Sequence, residues 1–134
     1  MAFDMTHVDR SAVKEHLEYL GYDVTEDEEG NLRVDHPRKP KFAIKFFPDG
    51  FMHTSIWDTS ERARQDPEGF LRYINSLNQA AFVSRYYADE DLDMFIEAFY
   101  IGRYERRTYA RFITIWDEDF QRMIGNPNTE KFLG

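Results

Sequence analysis

Phe70–Gly102 reads FLRYINSLNQAAFVSRYYADEDLDMFIEAFYIG, and the change of period within it decides the fold. Phe70, Ile74, Leu77 and Ala81 recur at helical spacing, and Leu71 and Tyr73 widen the stripe, so this helix has one apolar face. Just upstream, Asp66 can accept from the free amides of a first turn, Pro67 suits the first helical position and Glu68 complements the positive end of the helix dipole. From Phe82 onward the chain turns to Phe82, Val83, Tyr86 and Tyr87, aromatic and β-branched residues that suit a pleated surface. Asp89-Glu90-Asp91 marks a turn, and from Leu92 the alternation predicts a strand. Leu92, Met94, Ile96, Ala98 and Tyr100 share one uncharged side, expected to face the core. Asp93, Phe95, Glu97, Phe99 and Ile101 share the other.

Upstream, Phe42–Phe47 and Phe51–Trp57 flank Pro48-Asp49-Gly50, which reads as a three-residue hairpin loop with Gly50 taking the positive φ. That loop sets Phe47 opposite Phe51. It places Ala43, Lys45 and Phe47 on one face with Phe51, His53, Ser55 and Trp57, and Phe42, Ile44 and Phe46 on the other with Met52, Thr54 and Ile56. The first helix is Val8–Leu20, capped by Asp9, striped by Val13, Leu17 and Leu20, and stopped by Gly21. Tyr22–Val24 and Leu32–Asp35 read as short strands around the acidic loop Thr25–Asn31. Arg38-Lys39-Pro40-Lys41 is an exposed connector, its prolines unsuited to a central strand. Asp58–Gln65 is a polar, partly helical connection. After the second hairpin, Tyr104–Ile124 forms the last helix, striped by Tyr109, Phe112, Ile113, Trp116, Phe120 and Met123, and Gly125-Asn126-Pro127 ends it. Residues 126–134 are expected to form a flexible tail. The resulting order is α-β-β-β-(β)-α-β-β-α over a single domain, residues 1–134. The fold class is α+β, an antiparallel sheet flanked by helices, since each element has one apolar face to bury.

Composition narrows the function classes. The chain has 134 residues with 42% hydrophobic and 16% aromatic content, enough to enclose a core without a metal or disulfide. It has no cysteine, which excludes disulfides, thiolate nucleophiles and thiolate metal sites. An acidic N-terminus without a secretory pattern, and no apolar run of about 18 residues, lead to the expectation of a cytoplasmic protein that does not engage a membrane. A net charge of −8 argues against nucleic acid as the partner, because phosphate-backbone binding depends on Lys and Arg displacing counterions.

No stretch carries a recognisable catalytic pattern. His7, His16, His36 and His53 are dispersed, with no pair spaced to place two ligands on one helix face, so no metal site is expected. Asp89, Asp91 and Asp93 imitate the start of a calcium loop, but Met94 stands where its glycine belongs and Tyr100 where its bidentate acid belongs. No Gly-rich phosphate loop or nucleophile elbow is present, and no cofactor is expected. Arg103, Arg106, Arg107 and Arg111 cluster at the start of the last helix, where positive charge opposes the dipole and favours an acidic ligand or partner.

Several segments resemble the YbjN family, usually described as proposed bacterial sensory transduction regulators, and through it the type III secretion chaperone fold. The resemblance lies in Leu20-Gly21-Tyr22 at the close of the first helix, in Tyr73-Ile74-Asn75-Ser76-Leu77-Asn78, in RYYADEDLDMFIEAFY, and in the last helix with Trp116 and Phe120. Ile101-Gly102-Arg103 departs from it, standing where a glycine pair often precedes the last helix. Such a resemblance implies a curved antiparallel sheet with helices, usually a homodimer, in a protein that binds other polypeptides and catalyses nothing.

Two functional readings follow. In the first, Phe47, Phe51, Trp57, Phe95 and Phe99 form an aromatic sheet face that serves as a protein interface, toward a second copy or another polypeptide. His53, Arg103 and Arg107 are candidate contacts to a ligand or an acidic partner. The second is a small-molecule binder or minor enzyme with a pocket between sheet and helices, lined by Trp57, His53 and Tyr87.

Overall fold

The structure, a computed structural model, describes residues 6–134. Its order is α1 (Thr6–Tyr19), β1 (Asp23–Glu26), β2 (Leu32–Asp35), β3 (Phe42–Phe47), β4 (Gly50–Trp57), α2 (Glu61–Gln65), α3 (Pro67–Ala80), β5 (Arg85–Ala88), β6 (Met94–Ile101), α4 (Arg106–Ile124) and α5 (Thr129–Phe132). The six strands form one antiparallel sheet in the order β1-β2-β3-β4-β6-β5. The α2–α3 crossover carries the chain past β6 to the far edge, and the closing hairpin brings β6 back beside β4.

Local chemistry explains most of the element ends. Asp66 caps α3, its carboxylate accepting from the Gly69 amide at 3.0 Å, with Pro67 in the first turn. Gly21, at φ 94°, ends α1 in a Schellman arrangement: its amide donates to the Glu18 carbonyl and the Tyr22 amide to the Leu17 carbonyl, both at 3.0 Å. Asp9 does not cap α1, because the helix already begins at Thr6. Its carboxylate accepts instead from the Tyr104 amide at 3.2 Å, tying α1 to the approach of α4. Glu105 caps α4, accepting from the Thr108 amide at 2.8 Å, so that helix starts at Arg106, two residues later than its sequence suggests.

The helices lie on one side of the sheet, α1 over β1 and β3, α4 over β6 and α3 over β5. Beneath them Val24, Leu32, Val34, Phe42, Ile44, Phe51, Tyr86, Met94, Ile96, Ala98 and Tyr100 are buried against Val13, Leu17, Phe70, Leu77, Tyr109, Ile113, Trp116 and Phe120. The inward side expected for β6 is therefore the buried one from Met94 onward. Leu92 itself lies in the loop, at φ 65°, and β5 begins at Arg85, so Phe82 and Val83 are connector.

The first hairpin corrects the sequence reading. Phe46 pairs with Phe51 and Phe47 with Gly50, so the loop has two residues, Pro48 and Asp49. Gly50 is the first residue of β4, pairing also with Ile101, and a Cβ there would sit 2.1 Å from the Tyr100 carbonyl oxygen. Gly50 does take the expected positive φ, 157°, but as a strand residue, and its lack of a side chain also serves the close approach of β6. Because side chains alternate, the one-residue difference exchanges the faces of β4. Phe51, His53, Ser55 and Trp57 join Phe42, Ile44 and Phe46 in the core, while Met52, Thr54 and Ile56 turn outward.

Residues 126–134 are seated rather than loose. Phe132 and Leu133 are buried, and the Phe132 ring lies 5.5 Å from Tyr73 and 5.6 Å from Phe70. The Ser60 amide donates to the Phe132 carbonyl at 2.8 Å, fastening the tail to the start of α2. Two apolar residues in a polar segment were enough to bury it, because the first half of α3 offers an aromatic seat in Phe70 and Tyr73.

Candidate interaction surface

The side of the sheet away from the helices is the most distinctive surface of the molecule. The pairing aligns Lys45, Met52 and Phe99 in one row, Ile56, Phe95 and Tyr87 in a second, and Phe47 and Ile101 about Gly50 in a third. Ile56 is 57% exposed, Tyr87 39%, Phe99 40% and Ile101 83%, so these side chains meet water rather than a helix. Phe47 packs on Phe99 at 6.2 Å, and Tyr87 stacks on Phe95 at 5.2 Å and 12°. Between the rows of rings lies Glu97, 8% exposed, whose carboxylate accepts from Nε (3.1 Å) and Nη2 (2.7 Å) of Arg85. Burial and the neighbouring Glu97 carboxylate hold the Tyr87 hydroxyl above its usual titration range. Toward β2 the face becomes polar, with a shallow groove of about 430 Å³ lined by Arg33, Asp35, Lys41, Ala43, Lys45, Thr54 and Ile56.

Of the five residues expected to form an aromatic face, Phe47, Phe95 and Phe99 stand together here, whereas Phe51 and Trp57 do not. Phe51 is fully buried between Tyr100 and Phe46, and Trp57 packs against Phe120 of α4. The register exchange removes these two and brings Met52 and Ile56 in their place. Nothing in the local sequence marks Ile56 and Met52 as outward; a pairing that honoured Gly50 as a strand residue would have found them.

His53 is also inward. It is fully buried, stacked on Phe42 at 4.7 Å, with Trp116, Phe112 and Tyr109 edge-on around it. Nε2 lies 2.9 Å from the Tyr109 hydroxyl, while Nδ1 is buried without a partner among the described residues. Burial lowers its pKa to about 3, so it is neutral under ordinary conditions. Rings fill the space around it, Trp57 lies beneath α4, and Tyr87 is on the opposite face. The three residues expected to line a sheet–helix pocket are not brought together.

The basic cluster divides. Arg103 faces Asp9 at 3.7 Å, whereas Arg107 lies with Arg106 beside a cleft between α1 and α4. The three acids of the second hairpin are turn residues: one oxygen of Asp89 accepts from the amides of Asp91 (3.0 Å) and Asp93 (2.9 Å). Among the described residues no group of three or more His, Cys, Asp or Glu is placed to hold a metal ion, and no helix is long and apolar enough to cross a membrane.

No protein-family model matches the chain, and no curated protein matches it. Among solved structures, the crystal structure of YbjN from E. coli, a proposed transcription regulator, superimposes with a TM-score of 0.72, covering 92% of this chain and 94% of that one. The fold is that of YbjN. At 12% identity the likeness to YbjN concerns the fold, and residue roles come from the geometry here. Segments that carried the YbjN resemblance prove to be structural joints. Leu20-Gly21-Tyr22 turns α1 into β1. Asn78 fastens α3 to β5, its Oδ1 accepting from the Tyr86 amide at 2.8 Å and its Nδ2 donating to the Tyr86 carbonyl at 3.0 Å. Asp119, which the stripe of α4 left unremarked, is 1% exposed and accepts from the amides of Phe82, Val83 and Ser84. It holds the α3–β5 connection against α4; its position between Trp116 and Met123 on the buried stripe was the available signal.

Proposed function

We propose that this protein is a non-enzymatic adaptor or regulator of the cytoplasm, and that its working surface is the helix-free face of the sheet. The observation that carries this reading is the outward-facing apolar set laid across three neighbouring strands, with Ile56, Phe99 and Ile101 exposed and Phe47, Met52 and Phe95 half-buried among them. A contiguous patch of this kind marks an interaction site in a soluble protein. Its rim is charged, with Lys45, Arg33 and Arg85, as interface rims are. These three strands, about 4.8 Å apart and six to eight residues long, span roughly 14 by 26 Å, the scale of the centre of a standard interface. The first occupant is a second copy of the chain, giving a homodimer. Another polypeptide binding the same face is the regulatory step. The overall negative charge speaks against nucleic acid, and the YbjN fold, seen in a proposed regulator, is in keeping with a role without catalysis.

Light-scattering mass over a range of concentrations tests the reading, comparing the unaltered chain with Phe95→Glu and Phe99→Glu and checking each fold by circular dichroism. The expected result is a dimer that becomes a folded monomer in both variants. An unaltered chain that stays monomeric at every concentration, or folded variants that remain dimeric, overturns the assignment.

A further inference from the structure

On the opposite side of the molecule a second feature stands apart from the sheet face. An open cleft of about 560 Å³, within the range of small-molecule sites, lies between α1 and the start of α4. Ala12 and Ala110 form its narrow wall and leave the space open. Tyr19, 89% exposed, and Leu20, 43% exposed, supply an apolar wall that nothing else in the described residues covers. At its floor His16 Nδ1 lies 2.7 Å from the Tyr104 hydroxyl. Burial and Arg106 lower the pKa of His16, so this floor is polar and uncharged at neutral pH. Arg106 and Arg107 line the mouth, and neither is ion-paired with another described residue. Glu105 already accepts from the Thr108 amide in the first turn of α4, so recognition would fall to the guanidinium groups and not to the helix end.

The cleft therefore offers two cations outside any close ion pair among the described residues, although Glu105 lies near Arg107, together with an uncharged hydrogen-bonding floor and an apolar wall, within a chain of net charge −8. Guanidinium groups recognise planar carboxylates through paired hydrogen bonds. Glu15, the one acid of the lining, makes a dianion less suitable than a monoanion. We propose that this cleft binds a small organic monocarboxylate with an apolar body, the carboxylate between Arg106 and Arg107 and the body against Tyr19 and Leu20.

Calorimetric titration of the full chain with benzoate, octanoate and phenyl phosphate tests this, together with amide NMR of Ala12 and Ala110 to locate the event. Binding of a carboxylate is expected, with perturbed Ala12 and Ala110 signals, at least tenfold weakening in the Arg106→Gln/Arg107→Gln double variant, and severalfold tightening in Glu15→Gln. All three changed residues are on the surface, and circular dichroism checks each fold. Absence of binding at millimolar carboxylate, unchanged affinity in the double variant, or tighter binding of phenyl phosphate than of benzoate overturns the proposal. These outcomes are independent of the dimer measurement, because the cleft and the open sheet face lie on opposite sides.

Discussion

The two faces of the sheet are built from similar residues, yet one is covered by helices and the other is open. On the helix side, Phe42, Phe51 and Tyr100 are locked among Tyr109, Trp116 and Phe120; on the other, Phe47, Phe95 and Phe99 stack only on one another and on Tyr87. Each side also buries a carboxylate. Asp119 accepts from three backbone amides and Arg122, whereas the partners of Glu97 are side chains open to water, chiefly Arg85, which is 66% exposed. The lesson is that residue type does not distinguish the covered face from the open one in this chain. What distinguishes them is whether an element lies above, and that is set by where the chain crosses after β4.

The sharpest test of the contrast is truncation of one ring on each face. Phe51→Ala should lose about 3–5 kcal/mol, as large-to-small changes in packed cores do, read from the urea midpoint of unfolding. If Phe51 stood outward, as the three-residue loop implied, the change would be nearly silent.

Next in size is Asp119→Ala. Leaving three amides of the Phe82–Ser84 connector without their acceptor is expected to cost about 2–3 kcal/mol in the same measurement.

His53 adds a pH dependence that belongs to the covered face. Its pKa is about 3 folded against 6.5 in its ordinary state, so the native protein binds fewer protons than the unfolded chain between these values. Stability contributed by neutral His53 is thus present above pH 6.5, falls as pH drops through this window, and levels off below about 3. Between pH 7 and 5 the loss amounts to about 2 kcal/mol by linkage. The difference in stability between the unaltered protein and His53→Leu, followed over that range, should show this slope, and carboxylates common to both proteins cancel. A parallel pair of curves would mean that His53 is hydrated.

Smaller effects are expected outside. Arg85→Gln should cost about 1 kcal/mol, because it leaves Glu97 with a weaker partner at a site open to water on one side. Phe99→Ala should change the stability of the isolated monomer by no more than about 1 kcal/mol, as surface changes do. An equal cost for Phe99→Ala and Phe51→Ala would erase the distinction between the faces.

The sequence by itself determined what depends on neighbours along the chain. The stripe of α4, the stripe of α3 at Phe70, Tyr73, Ile74 and Leu77, the Asp66–Pro67 start, the Gly21 stop and the inward side of β6 from Met94 all follow from period and local capping and stand in the structure, whereas Leu71, counted in the α3 stripe, is 62% exposed. The candidate face was legible in part: the outward set of β6 supplied Phe95 and Phe99, and Phe47 joined them. Tertiary structure alone decided the face of β4, the seating of Phe132 and Leu133, the burial of Asp119 and the cleft beside Arg106 and Arg107. Each of these turns on a contact between residues far apart in the chain. The clearest is Gly50: both alternations of β4 are apolar enough to be buried, so hydrophobicity could not choose between them. Close approach of the Tyr100 carbonyl required a glycine within the strand, and that shortened the loop by one residue and settled the register.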